Sequence, residues 1–139
     1  MTQSNGQQII DACLRMHAEG INQGSAGNIS VRNAGGFLIT PSGVAYERMA
    51  PEDMVQMDLA GQSSGRLKPS SEWRMHLDIY RSRPEAEAVV HAHSTFCTTL
   101  SCLRLDIPAF HSLVAVAGGA DSRQRVRQRW RLREGRTGR

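Results

Sequence analysis

Residues 70–93, SSEWRMHLDIYRSRPEAEAVVHAH, decide how the rest of the chain is read. Ser70 or Ser71 can cap a helix that carries Trp73, Met75, His76, Ile79 and Tyr80, and Pro84 ends it, since proline has no backbone N–H to continue the ladder. Residues 88–93 then form a short β-branched run, a strand whose side chains alternate between faces. Working outward, residues 28–32 and 37–40 are β-rich and flank Asn33-Ala34-Gly35-Gly36, a hairpin. Ahead of it, Ser4-Asn5-Gly6-Gln7 has capping-box spacing, and Ile10, Cys13, Leu14 and Ala18 recur at helical intervals until Gly20. Residues 54–59 read as a further strand and 61–65 as a polar turn. On the C-terminal side come a Ser94-capped helix to about Leu103 and a strand over 113–117. The order predicts a single-domain α/β/α sandwich with a mixed, largely antiparallel central sheet, incomplete at the C-terminus.

The chain has 139 residues, enough for one domain with a sizeable core. Its net charge of +4 is unevenly placed. Residues 1–120 carry nine basic and eleven acidic side chains, whereas 121–139 carry eight arginines against Asp121 and Glu134. The sequence therefore predicts a domain over 1–120 and a separate arginine-rich, disordered tail over 121–139. That tail has no apolar stripe to pack, and its arginine-rich, lysine-free composition is what a GC-rich gene read in the wrong frame gives. A nucleic-acid arm is the less favoured reading, because no supporting motif stands in residues 1–120. No apolar run is long enough to span a membrane, no signal peptide is evident, and the odd cysteine count fits free thiols, so a cytoplasmic location is expected.

Three groups of residues can carry chemistry. His91 and His93, two apart on a strand, project from one face, either as metal ligands or as solvated polar groups. Glu72 is the carboxylate that can join them, or a first-turn acid that complements the positive end of its helix. Gly24-Ser25-Ala26-Gly27-Asn28, Thr40-Pro41-Ser42-Gly43 and Ser70-Ser71 combine small residues with hydroxyl and amide donors, as anion cradles and ordinary turns both do.

Five segments taken together, residues 24–31 (GSAGNISV), 39–43 (ITPSG), 69–76 (PSSEWRMH), 82–95 (SRPEAEAVVHAHST) and 107–119 (IPAFHSLVAVAGG), resemble the class II aldolase/adducin family of the fuculose-phosphate aldolase type. The resemblance implies a metal-dependent lyase that cleaves a small sugar phosphate by a retro-aldol reaction through a metal-stabilised enediolate. It implies His91 and His93 as ligands of a divalent metal, commonly zinc, and Glu72 as catalytic acid/base. Gly27, Asn28, Ser42, Gly43, Ser70 and Ser71 are assigned by it to the substrate phosphate. A homotetramer is implied as well. The family's third histidine lies in a later segment, but no histidine follows His111 here, and Ser112 stands where the family has a tyrosine; weakened turnover is the expectation. A sugar-phosphate epimerase or dehydratase, and a non-catalytic adducin-like interaction module, are the alternatives.

Overall fold

A computed structural model describes residues 3–105; the strand expected over 113–117, His111, Ser112 and the arginine-rich segment lie outside the described residues. By internal contacts the chain divides into two units, residues 1–97 and 98–139, and the sheet lies in the first. The described elements are α1 (Asn5–Ala18), β1 (Asn28–Asn33), β2 (Gly36–Ile39), β3 (Val55–Met57), β4 (Ser63–Ser64), α2 (Trp73–Ser82), β5 (Ala88–His91) and α3 (Thr95–Cys102). The strands form one sheet in the order β4-β3-β2-β1-β5, and every described pairing is antiparallel.

Alternation along the strands sends two sets of apolar side chains to opposite faces. Ile29 of β1 packs with Ile9, Ile10, Cys13 and Met16 of α1, joined by the partly buried Val31 and Leu38. On the other face Phe37, Ile39, Val55, Met57 and Val89 pack with Leu77 and Tyr80 of α2. A helix on each face of an antiparallel sheet is the sandwich that the sequence predicts. No helix among the described residues is long and apolar enough to cross a membrane.

Local chemistry sets the element ends. Ser4 Oγ accepts the Gln7 N–H at 3.3 Å, but the Gln7 side chain bonds Asp11 rather than closing a capping box. The β1–β2 turn is a two-residue connection in which Asn33 pairs with Gly36. A Cβ on Gly36 would lie 2.2 Å from the Met57 carbonyl oxygen, so β3 can pair closely only with glycine there.

Three boundaries differ from expectation. The strand expected over 54–59 covers only Val55–Met57, because Asp58 Oδ1 accepts the N–H groups of Ala60 and Gln62 and bends the chain away. The stretch 61–65, expected as a plain turn, contains β4, whose exposed serines pair with Gln56 and Met57. Finally, α2 begins at Trp73 rather than at a serine cap. Glu72 is the residue before it, and Ser70 Oγ accepts the Glu72 N–H at 3.3 Å without capping the helix itself. The serines are tied instead to the loop after β2. Ser70 N–H bonds the Thr40 carbonyl, Ser42 N–H bonds the Lys68 carbonyl, and Pro41 bridges Pro69.

Candidate functional site

The register of β1 and β5 builds the site. Asn28 lies directly opposite His91, two residues along from the Ser30–Val89 pair, so Asn28, Ser30 and His91 share the face covered by α2. The N-terminus of α2 ends above them and brings Glu72 down onto the pair. His93 lies past the end of β5 rather than within the strand, because Asn22 Oδ1 takes its backbone N–H at 2.9 Å. Both rings still converge, with Nε2 atoms 2.9 Å apart and ring planes nearly perpendicular.

Glu72 Oε2 is 3.0 Å from His91 Nε2 and 3.9 Å from His93 Nε2. These separations are all below roughly 4 Å, the reach of two ligands across one zinc ion with bonds of about 2.0–2.2 Å, so the donor set fits a divalent ion. Among the described residues it is the one group of three histidine, cysteine or acidic side chains so placed. Burial lowers the His91 pKa against the opposing pull of Glu72, which favours the neutral imidazole that ligates metals.

Beside this cluster is a cavity of about 90 Å³, several times the ~10–15 Å³ that one water needs. Gly27, Asn28, Ser42, Gly43, Ser70 and Ser71 all line it, as does Glu72, so that carboxylate belongs to both the cavity and the histidine cluster. His91 and His93 stand outside the lining. No lysine or arginine is among the lining residues; donors come from hydroxyls, amides and backbone.

Two groups of supporting residues carry weaker signals in the sequence. Asn22, buried, holds His93 and also bonds the hydroxyl of buried Tyr46, which donates to the Gly27 carbonyl at 2.8 Å. Nothing in the local sequence marks Asn22. The second group is a buried ladder from β1 to α2: Asn28 Nδ2 to Glu72 Oε2 at 2.7 Å, Asn28 Oδ1 with His76 Nε2 at 2.5 Å, His76 Nδ1 with Ser30 Oγ at 2.7 Å, and Ser30 Oγ with Tyr80 Oη at 2.8 Å. Here a signal exists. Asn28, Ser30 and Arg32 alternate with Ile29 and Val31, while Glu72, His76 and Tyr80 recur every four residues.

Gly27 has a second reason to be glycine. A Cβ there would lie 2.5 Å from the His91 carbonyl oxygen and 3.0 Å from the Met16 side chain. Gly27→Ala should therefore push β5 off β1 and cost about 1–3 kcal/mol of stability, read as a lower urea midpoint. An unchanged midpoint would mean that the two backbones are not in close contact.

Burial, aided by His91, pushes the His76 imidazole down to about 4 from 6.5. Between those values the unfolded chain binds a proton that the folded chain refuses, so stability is full above pH 6.5 and falls as pH drops toward 4. The loss attributable to His76 is about 3 kcal/mol at the low end. Urea unfolding at pH 7 and 4.5 should show it, and His76→Gln should flatten that part of the dependence. An equal slope in the variant would contradict the assignment.

Residues 7–128 match the family described as Class II Aldolase and Adducin N-terminal domain. The chain is 50% identical over 113 residues to the L-fuculose phosphate aldolase of Escherichia coli (strain K12), covering 81% of this chain and 53% of that protein. Against a 5-methylthioribulose-1-phosphate/5-deoxyribulose-1-phosphate aldolase of Rhodospirillum rubrum the identity is 51% over 115 residues, with 83% and 52% covered. A solved L-fuculose 1-phosphate aldolase structure superposes with a TM-score of 0.75 at 38% identity, over 84% of this chain and 57% of that one. The chain spans about half the length of the curated relatives it matches.

Proposed function

Because the chain belongs to the class II aldolase and adducin family, we propose that it is a metal-dependent, aldolase-type lyase that cleaves a small sugar phosphate of the fuculose-phosphate kind. The observation that carries this reading is the sharing of Glu72 between a polar cavity and a His–His–carboxylate cluster. A phosphate held in the cavity leaves the carbon skeleton beside the carboxylate and the two imidazoles.

In this reading Ser42, Ser70 and Ser71 give hydroxyl donors to the phosphate, Gly27 and Gly43 let it approach the backbone, and Asn28 adds an amide N–H. His91 and His93 would hold the divalent ion, with zinc best suited to imidazole donors. When bound, it supplies a Lewis acid that stabilises the negative charge left as the C–C bond breaks. Glu72 Oε2, which faces both rings, moves the proton. Lys68, the only lysine, is exposed and stands outside the cavity lining, so amine catalysis has no candidate here. The three free cysteines fit a cytoplasmic setting, and assembly as a homotetramer has apolar surface available at the exposed Val90 and Phe96.

Turnover of L-fuculose 1-phosphate and L-ribulose 5-phosphate, with added zinc and after chelation, tests the reading. Zinc-dependent cleavage is expected. Cleavage that survives chelation would overturn metal dependence, isomerisation without cleavage would support an epimerase, and zinc binding without any turnover would support a non-catalytic module.

A further inference from the structure

We propose that His76, a buried side chain that neither lines the cavity nor belongs to the histidine–carboxylate cluster, is a positioning residue that fixes the Asn28 amide and, through it, the Glu72 oxygen facing His91 and His93. The inference rests on the function proposed above only for the importance of that oxygen. The hydrogen-bond direction stands on the fold alone.

The direction follows from donor and acceptor chemistry at each rung. A carboxylate facing an amide at 2.7 Å takes the amide N–H, which puts Asn28 Nδ2 toward Glu72 and leaves Oδ1 toward His76. An amide oxygen only accepts, so the ring carries its proton on Nε2. A neutral ring protonated there accepts on Nδ1, so the Ser30 hydroxyl donates to it, and Ser30 Oγ in turn accepts from the Tyr80 hydroxyl. Each rung dictates the next, and no buried side-chain polar atom among the described residues is left without a partner.

The far end is anchored independently. The Arg32 guanidinium donates to the Tyr80 and Arg83 carbonyls at the C-terminal end of α2 and to the Ala86 carbonyl in the loop before β5, and lies 4.7 Å over the Tyr80 ring. The ladder thus runs the length of α2 from its C-terminus to Glu72 and lies among residues that are nearly or fully excluded from solvent: Ser30 and His76 are 0% exposed, Tyr80 1% and Asn28 4%. If Asn28 flipped, its oxygen would face the Glu72 carboxylate and its N–H groups would face the ring proton. His76 prevents this by holding its proton on Nε2. Partners that orient a metal-ligating or catalytic group typically alter affinity or rate by about 10–100-fold when removed.

Two substitutions separate this role from a merely structural one. His76→Gln keeps an amide donor at the position of Nε2, facing Asn28, and gives up the contact with Ser30. His76→Asn keeps a polar group near the position of Nδ1, facing Ser30, and gives up the donor to Asn28. Each leaves one buried partner unserved, so a structural role would weaken both alike. With zinc saturating, sugar-phosphate cleavage by the whole chain should be within a few-fold of the parent for His76→Gln and slower by about 10–100-fold for His76→Asn, with zinc retained in both. Equal loss in the two, or the reverse order, would overturn the proposal. Long-range 1H–15N spectra of the parent give a second reading: His76 should appear as the Nε2–H tautomer, and an Nδ1–H tautomer would overturn the proposal whatever the rates. Should the parent show no cleavage, the proposed function fails by itself, and the tautomer still decides the ladder.

Discussion

Replacing His91 and His93 together by alanine is expected to take bound zinc from near stoichiometric to background while the chain stays folded. Both rings are partly exposed rather than core residues, and neither belongs to the apolar clusters that hold α1 and α2 on the sheet. Their removal therefore deletes two of the three converging donor atoms at little cost in packing. Glu72 alone cannot hold the ion tightly, because one carboxylate lacks the ligand number that a zinc site needs. Metal analysis after dialysis, beside a circular dichroism spectrum, reads the result. Zinc retained at the parent's level by a folded double variant would show that the ion binds elsewhere.

The next largest effect belongs to Glu72→Gln. The amide is nearly isosteric, its oxygen can still accept from Asn28, and it keeps the cavity wall in place, but it cannot take up a proton. General acid–base catalysis by a positioned side chain is typically worth about 10²–10⁴-fold, and the rate of sugar-phosphate cleavage should fall by that order relative to the parent with little change in KM. Zinc content measured on the same samples distinguishes two roles. Zinc retained with the rate lost is the result for a proton-transfer group. Zinc lost in step with the rate would make Glu72 principally a ligand, and a rate unchanged by the substitution would remove it from the chemistry.

The main architecture was legible because burial imposes periodicity. Ile10, Cys13 and Leu14 announce α1, and the alternation of Ile29 and Val31 with polar neighbours announces β1. The close approach that demands Gly36 shows as a glycine-rich turn. Segments shaped by polar contacts were less legible. Asp58 ends β3 through its own side chain, β4 is two exposed serines with no apolar pattern, and α2 starts after the serines because their backbone is committed to the loop around Pro41.

The candidate site divides along the same line. His91, His93 and Glu72 are conspicuous as residue types, and the structure gathers them with the cavity that the glycine- and serine-containing loops form. Asn22 and Tyr46 act across 24 residues of sequence, and Asn22 reaches His93 across 71, distances over which no local pattern operates. The ladder through His76 was visible in principle as two matched periodicities, one of two residues along β1 and one of four along α2. It becomes a contact only once β1 and α2 share a face.

The most direct test of the account is a crystal structure of the whole chain with zinc, with the ion located by anomalous scattering at its absorption edge. A single strong peak is expected, bonded to His91 Nε2 and His93 Nε2 beside the Glu72 carboxylate and next to the cavity formed by Gly27, Ser42, Gly43, Ser70 and Ser71. A strong peak on other residues, with His91, His93 and Glu72 in contact only with one another, would contradict it.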